Sequence, residues 1–295
     1  MTPPQVVVVG DLVTDVVAST AGAVAVGSDT TARIVLGDGG AGGNVAAWLR
    51  AVDLDVGLVA CVGEDPAGRD AVARLADAGV ATAVATDPIA PTGTVVVLTD
   101  ATGERTMLTD RGANKALDAA DLPLTWFRRG AHLHLSGYVL LDERGRDAGL
   151  AALRAATVSG MTISVDPASW APLRRWGAAR FLAATADAML TLPNRDEARV
   201  LTGFGDPAGA ARHLARHHGA AVVTCGADGA VWSDGATTVH GRAGRTTVVD
   251  STGAGDAFTA GYLAAWLDGA EPDEALERAA YLAAQAVGRR GARPG

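Results

Sequence analysis

Cysteine and lysine are both scarce in this 295-residue sequence, and each scarcity excludes a class of protein. The two cysteines, Cys61 and Cys225, lie in separate apolar runs without the spacing of a metal site or a disulfide framework. We therefore expect a reducing, cytoplasmic setting. Lys115 is the one lysine, and it does not follow the glycine-rich loop that a Walker-type NTPase needs, so that class is excluded.

The sequence also lacks a basic excess and any long hydrophobic run. Its formal net charge is -8 and the basic residues are scattered singly, so we predict no nucleic-acid partner. No run reaches the ~18 apolar residues that span a bilayer, and the N-terminal MTPPQVVVVG has no basic region. We predict neither membrane insertion nor export.

Strand-like and helix-like segments alternate along most of the chain, which predicts an α/β protein with a mainly parallel sheet. The apolar, β-branched runs are Val6–Val9, Val56–Val62, His132–Leu135, Thr162–Val165, Ala188–Leu192 and Ala221–Thr224. The segments with helical spacing are Pro66–Ala78, Glu143–Val158, Ala208–His218, Gly253–Leu267 and Pro272–Gly288.

Two stretches depart from this alternation and predict an added β element. Val13–Leu36 has little helical periodicity, and Pro91–Arg111 reads as two strands around a turn at Asp100–Gly103.

The most informative stretch is Asp250–Phe258, DSTGAGDAF, which follows a strand-like Thr246–Val249 and opens an alanine-rich helix. A turn of small residues into a helix predicts an anion site, because no side chain keeps a phosphoryl oxygen from the backbone. The amides of Gly253, Ala254 and Gly255 can then point together at that oxygen, aided by the helix dipole.

Asp256 stands beside this predicted anion site. Its carboxylate can take the proton of a substrate hydroxyl as that oxygen attacks a phosphoryl group, which makes it a candidate general base. The alternative is that Asp256 only favours the start of the helix, where acidic residues are common.

Two signatures identify a family resemblance. Residues 250–261 match the pattern DTxGAGDxFxxG with Ser251 as an accepted variant, and Gly39–Asn44 match a glycine-rich N-terminal signature. In these motifs the chain resembles the ribokinase-like, or PfkB-type, carbohydrate kinases. Asn194–Glu197 and Thr224–Gly229 are similar to the family's NxxE motif and nucleotide loop, so the resemblance covers essentially the whole chain.

The resemblance implies a single three-layer α/β/α domain over residues 1–295, with a small β lid drawn from about residues 12–38 and 92–112. It implies ATP-dependent transfer of a phosphoryl group to a hydroxyl of a small sugar or related polyol, and a homodimer formed through the lid. A nucleoside acceptor stays open, as does a non-catalytic relative that binds a sugar or nucleotide.

The resemblance also implies roles for residues outside the anion site. Mg²⁺ is expected at Asn194 and Glu197, although this pair is equally a helix-capping box. The nucleotide is expected at Asn194, Thr224, Gly226 and Gly229, and K⁺ is possible at Asp250 and Thr252. The acceptor is expected at Asp15, Gly40, Ala41 and Asn44, where carboxylate and glycine suit hydroxyl groups and close approach.

Some features limit these expectations. Val13 and Ser136–Tyr138 depart from the motifs of ribokinase itself, which puts ribose in doubt. Arg105 and Arg111 lie in the lid region, where exposed arginines are the commoner case. GDGGAG at residues 37–42 also satisfies G-x-G-x-x-G and leaves a dinucleotide-dependent oxidoreductase as a rival, although it does not follow the first predicted strand.

Overall fold

A nine-stranded sheet forms the centre of the protein, in a computed structural model that describes residues 3–99 and 105–294. All neighbouring strands are parallel except around β12, which confirms the predicted, mainly parallel α/β sheet. In sheet order the strands are Thr238–Gly241 (β13), Ala230–Ser233 (β12), Ala220–Thr224 (β11), Leu190–Thr191 (β10), Thr162–Asp166 (β9), His132–Ser136 (β8), Val6–Val9 (β1), Val56–Gly63 (β4) and Ala81–Asp87 (β5).

Helices cover both faces of this sheet, which gives the three layers. β1 is buried along its whole length because each face packs into a separate core, Val7 and Val9 into one and Val6 and Val8 into the other. The helices are Ala41–Ala51 (α1), Pro66–Asp77 (α2), Tyr138–Leu141 (α3), Arg146–Ser159 (α4), Trp170–Trp176 (α5), Ala178–Ala184 (α6), Arg195–Thr202 (α7), Pro207–His218 (α8), Ala254–Leu267 (α9) and Pro272–Val287 (α10).

A smaller four-stranded sheet carries the two stretches that depart from the α/β alternation. Its order is Ala32–Gly39 (β3), Val13–Thr20 (β2), Gly93–Thr99 (β6) and Arg105–Asp110 (β7). β2 pairs in parallel with β6 although about seventy residues separate them, so two distant parts of the chain build one sheet. The turn predicted at Asp100–Gly103 lies outside the described residues.

Two strand predictions need correction. Thr246–Val249 forms no strand; its backbone instead meets the end of α10, where the amides of Val249 and Asp250 donate to the carbonyl of Val287 at 2.9 and 3.2 Å. The predicted Ala188–Leu192 strand shortens to the two residues of β10. Within residues 3–99 and 105–294, the helices fall short of the length and apolar character that a membrane crossing requires.

Candidate active site

A cavity of about 220 Å³ lies between the two sheets, at the carboxyl ends of β1 and β9 and beneath β6 and β7. This edge is where open α/β sheets bind ligands. The residues of the sequence-predicted site that line the cavity are Asp15, Gly40, Ala41, Asn44, Thr252, Gly253 and Asp256.

A larger cavity, of about 700 Å³, lies near Gln5 and the helices α9 and α10. Gln5 precedes β1, so this cavity is at the opposite edge of the sheet. None of the sequence-predicted site residues line it. The smaller cavity is therefore the candidate active site despite its size, because the polar groups converge there.

Four carboxylates line the smaller cavity, and each comes from a different element. Asp11 follows β1, Asp15 lies in β2, Asp166 ends β9 and Asp256 lies in the first turn of α9. Of the described lining residues, none is a lysine or an arginine. The lining is therefore suited to neutral, hydroxyl-bearing ligands, since carboxylates accept hydrogen bonds from hydroxyl groups and repel anions.

Asp256 is held by a hydrogen bond from across the chain. Its Oδ2 accepts from Asn44 Nδ2 at 2.8 Å. The pKa of Asp256 is raised to about 7, mainly by burial and also by the nearby Asp166 and Asp15, while Asn44 and Arg293 act to lower it. A base with a pKa near neutral pH is matched to proton transfer from a hydroxyl group under physiological conditions.

The turn before α9 takes the form that the sequence predicts for an anion site. Gly253 has a φ of 73° and lies against Ala292, where a side chain at position 253 would meet the Ala292 carbonyl oxygen at 2.4 Å. Only glycine suits both constraints. The amide of Ala254 donates a long bond, 3.4 Å, to the carbonyl of Ser251. The first amides of a helix have no acceptor within the helix, so that of Gly255 can serve an outside ligand.

Asn194 and Glu197 form a complete capping box at the start of α7. Asn194 Oδ1 accepts from the backbone amides of Asp196 and Glu197. In return, the Glu197 carboxylate accepts from the backbone amide of Asn194 at 2.8 Å and from its side-chain Nδ2 at 2.6 Å. Glu197 is buried, and burial together with the charge of Asp166 raises its pKa.

Two neighbouring carboxylates repel each other when both are charged, whereas a cation would stabilise both. Glu197 and Asp166, whose pKa values are raised, form such a pair. Burial raises the pKa of Asp166 as well, so the interior disfavours the charged form of both Asp166 and Glu197. Mg²⁺ prefers oxygen ligands and keeps several waters, so one or two carboxylates suffice to hold it. Among the described residues, no group of three or more His, Cys, Asp or Glu side chains is placed to hold a metal ion.

The predicted nucleotide loop lies beside the capping box and not in the cavity. Thr224 ends β11 and bridges to Asn194, and Arg195 pairs with Asp228 at 2.7 Å. Gly226 and Gly229 adopt φ values of 60° and 88°. The structure thus separates the residues predicted for the acceptor, which line the cavity, from the residues predicted for the nucleotide, which lie after β10 and β11.

The predicted K⁺ residues are bonded to each other and to the C-terminal segment. Asp250 Oδ1 accepts from the amide of Thr252 at 2.9 Å and from its hydroxyl at 2.6 Å, and Asp250 Oδ2 accepts from the amide of Gly291 at 3.2 Å. These bonds shape the loop that leads into α9.

Arg111 corrects the expectation of an exposed lid arginine. Its side chain is 11% exposed and makes two bonds to Asp11, at 2.8 and 2.6 Å, with Asp142 3.4 Å away. A buried guanidinium needs such partners, because its charge cannot be left without compensation. The side chain of Arg105 lies outside the described part of the chain.

The sequence reasoning missed Asp166 and Ala168 in the cavity lining, and Arg293 behind the cavity. Asp166 could have been found, because it directly follows the buried run Thr162–Val165 and therefore lies at a carboxyl strand end. Ala168 lines the cavity with a φ of 72°, a strained conformation for alanine that Asp166 supports by accepting its amide hydrogen bond at 2.6 Å. Arg293 donates a hydrogen bond to Asn44, and no sequence motif points to this residue.

The glycine-rich GDGGAG stretch does not support an oxidoreductase. Residues 37–42 join β3 of the smaller sheet to α1, whereas a dinucleotide fingerprint occupies the first strand-to-helix turn of the parallel sheet. The fold therefore does not favour a dinucleotide-dependent oxidoreductase.

Comparisons with known proteins agree with the fold. The model of the pfkB family carbohydrate kinases matches residues 3–295. An ATP-dependent ribose-1-phosphate kinase from Halopiger xanaduensis is 32% identical over 261 residues, which cover 86% of this chain and 82% of that protein. A fructokinase from Klebsiella pneumoniae is 33% identical over 265 residues, which cover 86% and 85%.

A solved structure extends the agreement to three dimensions. The fructokinase from Vibrio cholerae O395, crystallised with fructose, ADP and a calcium ion, has a TM-score of 0.83 and 25% identity, with 99% of this chain and 95% of that chain covered. Together with the match over nearly the whole sequence, these likenesses show that the chain belongs to the pfkB family of carbohydrate kinases.

Proposed function

We propose that this kinase transfers the γ-phosphoryl group of ATP to a hydroxyl of a small, uncharged sugar or related polyol. The observation that carries the proposal is the convergence of Asp256, Asp15 and Asn44 in one acidic cavity at the start of α9. Its volume, about 220 Å³, lies below the roughly 300–1,000 Å³ of pockets for drug-sized ligands, which favours a monosaccharide over a nucleoside.

The proposed transfer is in line. Asp256 takes the proton of the acceptor hydroxyl while the hydroxyl oxygen forms a bond to the γ-phosphorus and the bond to the β-phosphate oxygen breaks, which releases ADP. The amides of residues 253–255 stabilise the charge on the phosphoryl oxygens. Both groups belong to one helix terminus, so base and phosphoryl site keep a fixed separation.

The remaining cavity residues hold the acceptor in this proposal. Asp15 is 8% exposed, and its carboxylate fills the space beside Gly39, where a side chain would overlap it. Gly40 has a φ of 90° and begins α1 next to Ala41, so the backbone can approach a sugar ring closely. Asp15 then accepts hydroxyl protons throughout the reaction, unlike Asp256.

On the nucleotide side, we assign ATP to Asn194, Thr224, Gly226 and Gly229. The support is their arrangement: the loop after β11 lies against the start of α7, and its two glycines adopt positive φ values that let the loop turn tightly. A Mg²⁺ ion held through Glu197 and Asn194, with Asp166 close by, would supply charge neutralisation for the phosphates.

We expect turnover to require Mg²⁺, because a divalent cation would stabilise the charged forms of Glu197 and Asp166, whose pKa values are raised without one. Excess chelator should abolish activity and added Mg²⁺ should restore it; full activity in chelator would contradict the assignment.

We also propose that a K⁺ ion binds near Asp250 and Thr252 and activates the enzyme. Equal rates in K⁺ and in a bulky organic cation would reject it.

We propose that the smaller sheet acts as a lid over the cavity and joins two copies of the chain. Its edge strand β3 exposes Ile34 and Leu36 by 64% and 70%, and Leu108 on β7 is 58% exposed. Apolar edge strands favour pairing with another chain. Light scattering should therefore give a dimer at micromolar concentration that Leu36→Glu converts to a monomer, whereas a monomeric unmodified protein would contradict the proposal.

A panel of acceptors tests the function itself. ADP release should follow addition of an uncharged sugar or polyol, with weaker release for nucleosides and for sugar phosphates. Release with a nucleoside alone would move the assignment to a nucleoside kinase. Failure of every acceptor to stimulate release, with ATP still bound, would favour a non-catalytic relative.

We expect Asp256→Asn and Asp15→Asn to fail at different steps. Asp256→Asn keeps the shape and removes the proton acceptor, so kcat should fall by about 10²–10⁴-fold with little change in ATP affinity. Asp15→Asn weakens a bond present in both ground and transition states, so the acceptor KM should rise by roughly 10–150-fold.

The matched control is Asp70→Asn, an exposed acid on α2, which should leave both constants near those of the unmodified enzyme. Steady-state kinetics with the acceptor found in the panel decide the matter. A near-normal kcat in Asp256→Asn would refute the base assignment, whatever Asp15→Asn does.

A further inference from the structure

We propose that Arg293 is a positioning residue for phosphoryl transfer, which acts by fixing the side-chain orientation of Asn44 and through it the carboxylate of Asp256. The inference rests on the proposed role of Asp256 as the general base. Arg293 does not line the cavity, so it acts on the reaction through Asn44 and not by contact with the acceptor.

The contacts of Arg293 place it behind Asn44 and against the start of α1. Its Nε donates to Asn44 Oδ1 at 3.1 Å and its Nη2 donates to the carbonyl of Gly39 at 2.9 Å. A side chain at Gly43 would meet Nη2 at 2.4 Å, so the guanidinium occupies space that only glycine leaves open. Nη1 lies 3.6 Å from Asp38 Oδ1, at the end of β3.

These contacts determine which way the Asn44 amide points. An asparagine side chain has one accepting and one donating end, and its two orientations differ little in shape. Arg293 can only donate, and the Asp256 carboxylate can only accept when it is charged. With Asn44 between them, a single orientation satisfies both: Oδ1 toward Arg293, and Nδ2 toward Asp256 at 2.8 Å.

The C-terminal segment brings Arg293 to this point. The carbonyl of Ala292 accepts from Trp48 Nε1 at 2.9 Å, which ties the segment to α1. Ala292 also lies against Gly253 at the start of α9, and the amide of Gly291 donates to Asp250. The C-terminal segment therefore packs against the place where α1, which carries Asn44, meets α9, which carries Asp256.

The charges around Asp256 predict what loss of Arg293 does. Asp15 and Asp166 face Asp256 and raise its pKa, whereas the Asn44 bond and the Arg293 charge lower it. Removing Arg293 removes its charge and frees Asn44 to turn its carbonyl toward the carboxylate. Both changes favour the protonated acid, so the base should be lost at a higher pH than in the unmodified enzyme.

Arg293→Met tests this, because it keeps much of the length of the side chain and removes every donor. We expect the acidic limb of kcat/KM for the acceptor to move up by about half to one pH unit, so that activity at pH 6 falls roughly three- to tenfold. The deficit should shrink as pH rises, and the KM for ATP should change little. Arg293→Lys, with one donor group to share between Asn44 and Gly39, should recover part of the loss.

The control is Arg290→Met, an exposed arginine of the same segment, which should leave the profile unchanged. A double-mutant cycle adds a second measurement: in an Asn44→Ala background, Arg293→Met should cost less than in the unmodified chain, because only the effect of its charge remains. An unshifted acidic limb, an equal loss at every pH, or full additivity with Asn44→Ala would overturn the inference. If Arg293→Met does not fold, Arg293→Lys carries the same readouts.

A measurement without turnover separates this inference from the proposed function. Carboxyl ¹³C NMR titration of Asp256 in the free protein should give a higher pKa in Arg293→Met than in the unmodified chain. If Asp256→Asn keeps a near-normal kcat, the base assignment fails but the NMR shift can still appear. If Asp256→Asn is inactive and Arg293→Met shows no shift, the inference about Arg293 alone fails.

Discussion

The hydrogen bond between Asn44 and Asp256 joins residues that are 212 positions apart, and the rest of the site depends on it. It holds the start of α1 against the start of α9, so the glycine-rich wall of the cavity and the turn at Gly253 become parts of one surface. The same bond stabilises the charged form of a carboxylate that burial disfavours. Geometry and charge state of Asp256 are thus set by one contact.

Buried charge is the second constraint on this site. Four carboxylates line the cavity, and two arginines behind it offset part of that charge: Arg111 through Asp11, and Arg293 beside Asn44. Both guanidinium groups are about a tenth exposed, so removing either would leave a buried acid without compensation. The acidic excess that remains is chemically useful, since it favours hydroxyl groups and a divalent cation.

The sequence predicted the layers of the fold because buried parallel strands are continuous apolar runs, as in Val6–Val9, and it predicted the turn into α9 because its small residues are adjacent. It failed at Thr246–Val249, where the backbone bonds to the end of α10 instead of joining a sheet. It also missed Arg293 and the burial of Arg111, because their partners lie about 250 and 100 positions away. Contacts of that kind come from tertiary packing and leave no local pattern.

The central claim is that the surroundings of Asp256 make an ordinary aspartate into a base that works near neutral pH. The pH dependence of kcat/KM for the acceptor, at saturating ATP and Mg²⁺, measures this directly. Because the base must be deprotonated, activity should fall tenfold per pH unit below an apparent pKa of about 7 and level off above it. A profile that stays flat down to about pH 5, as an unperturbed aspartate with a pKa near 3.9 would give, contradicts the account.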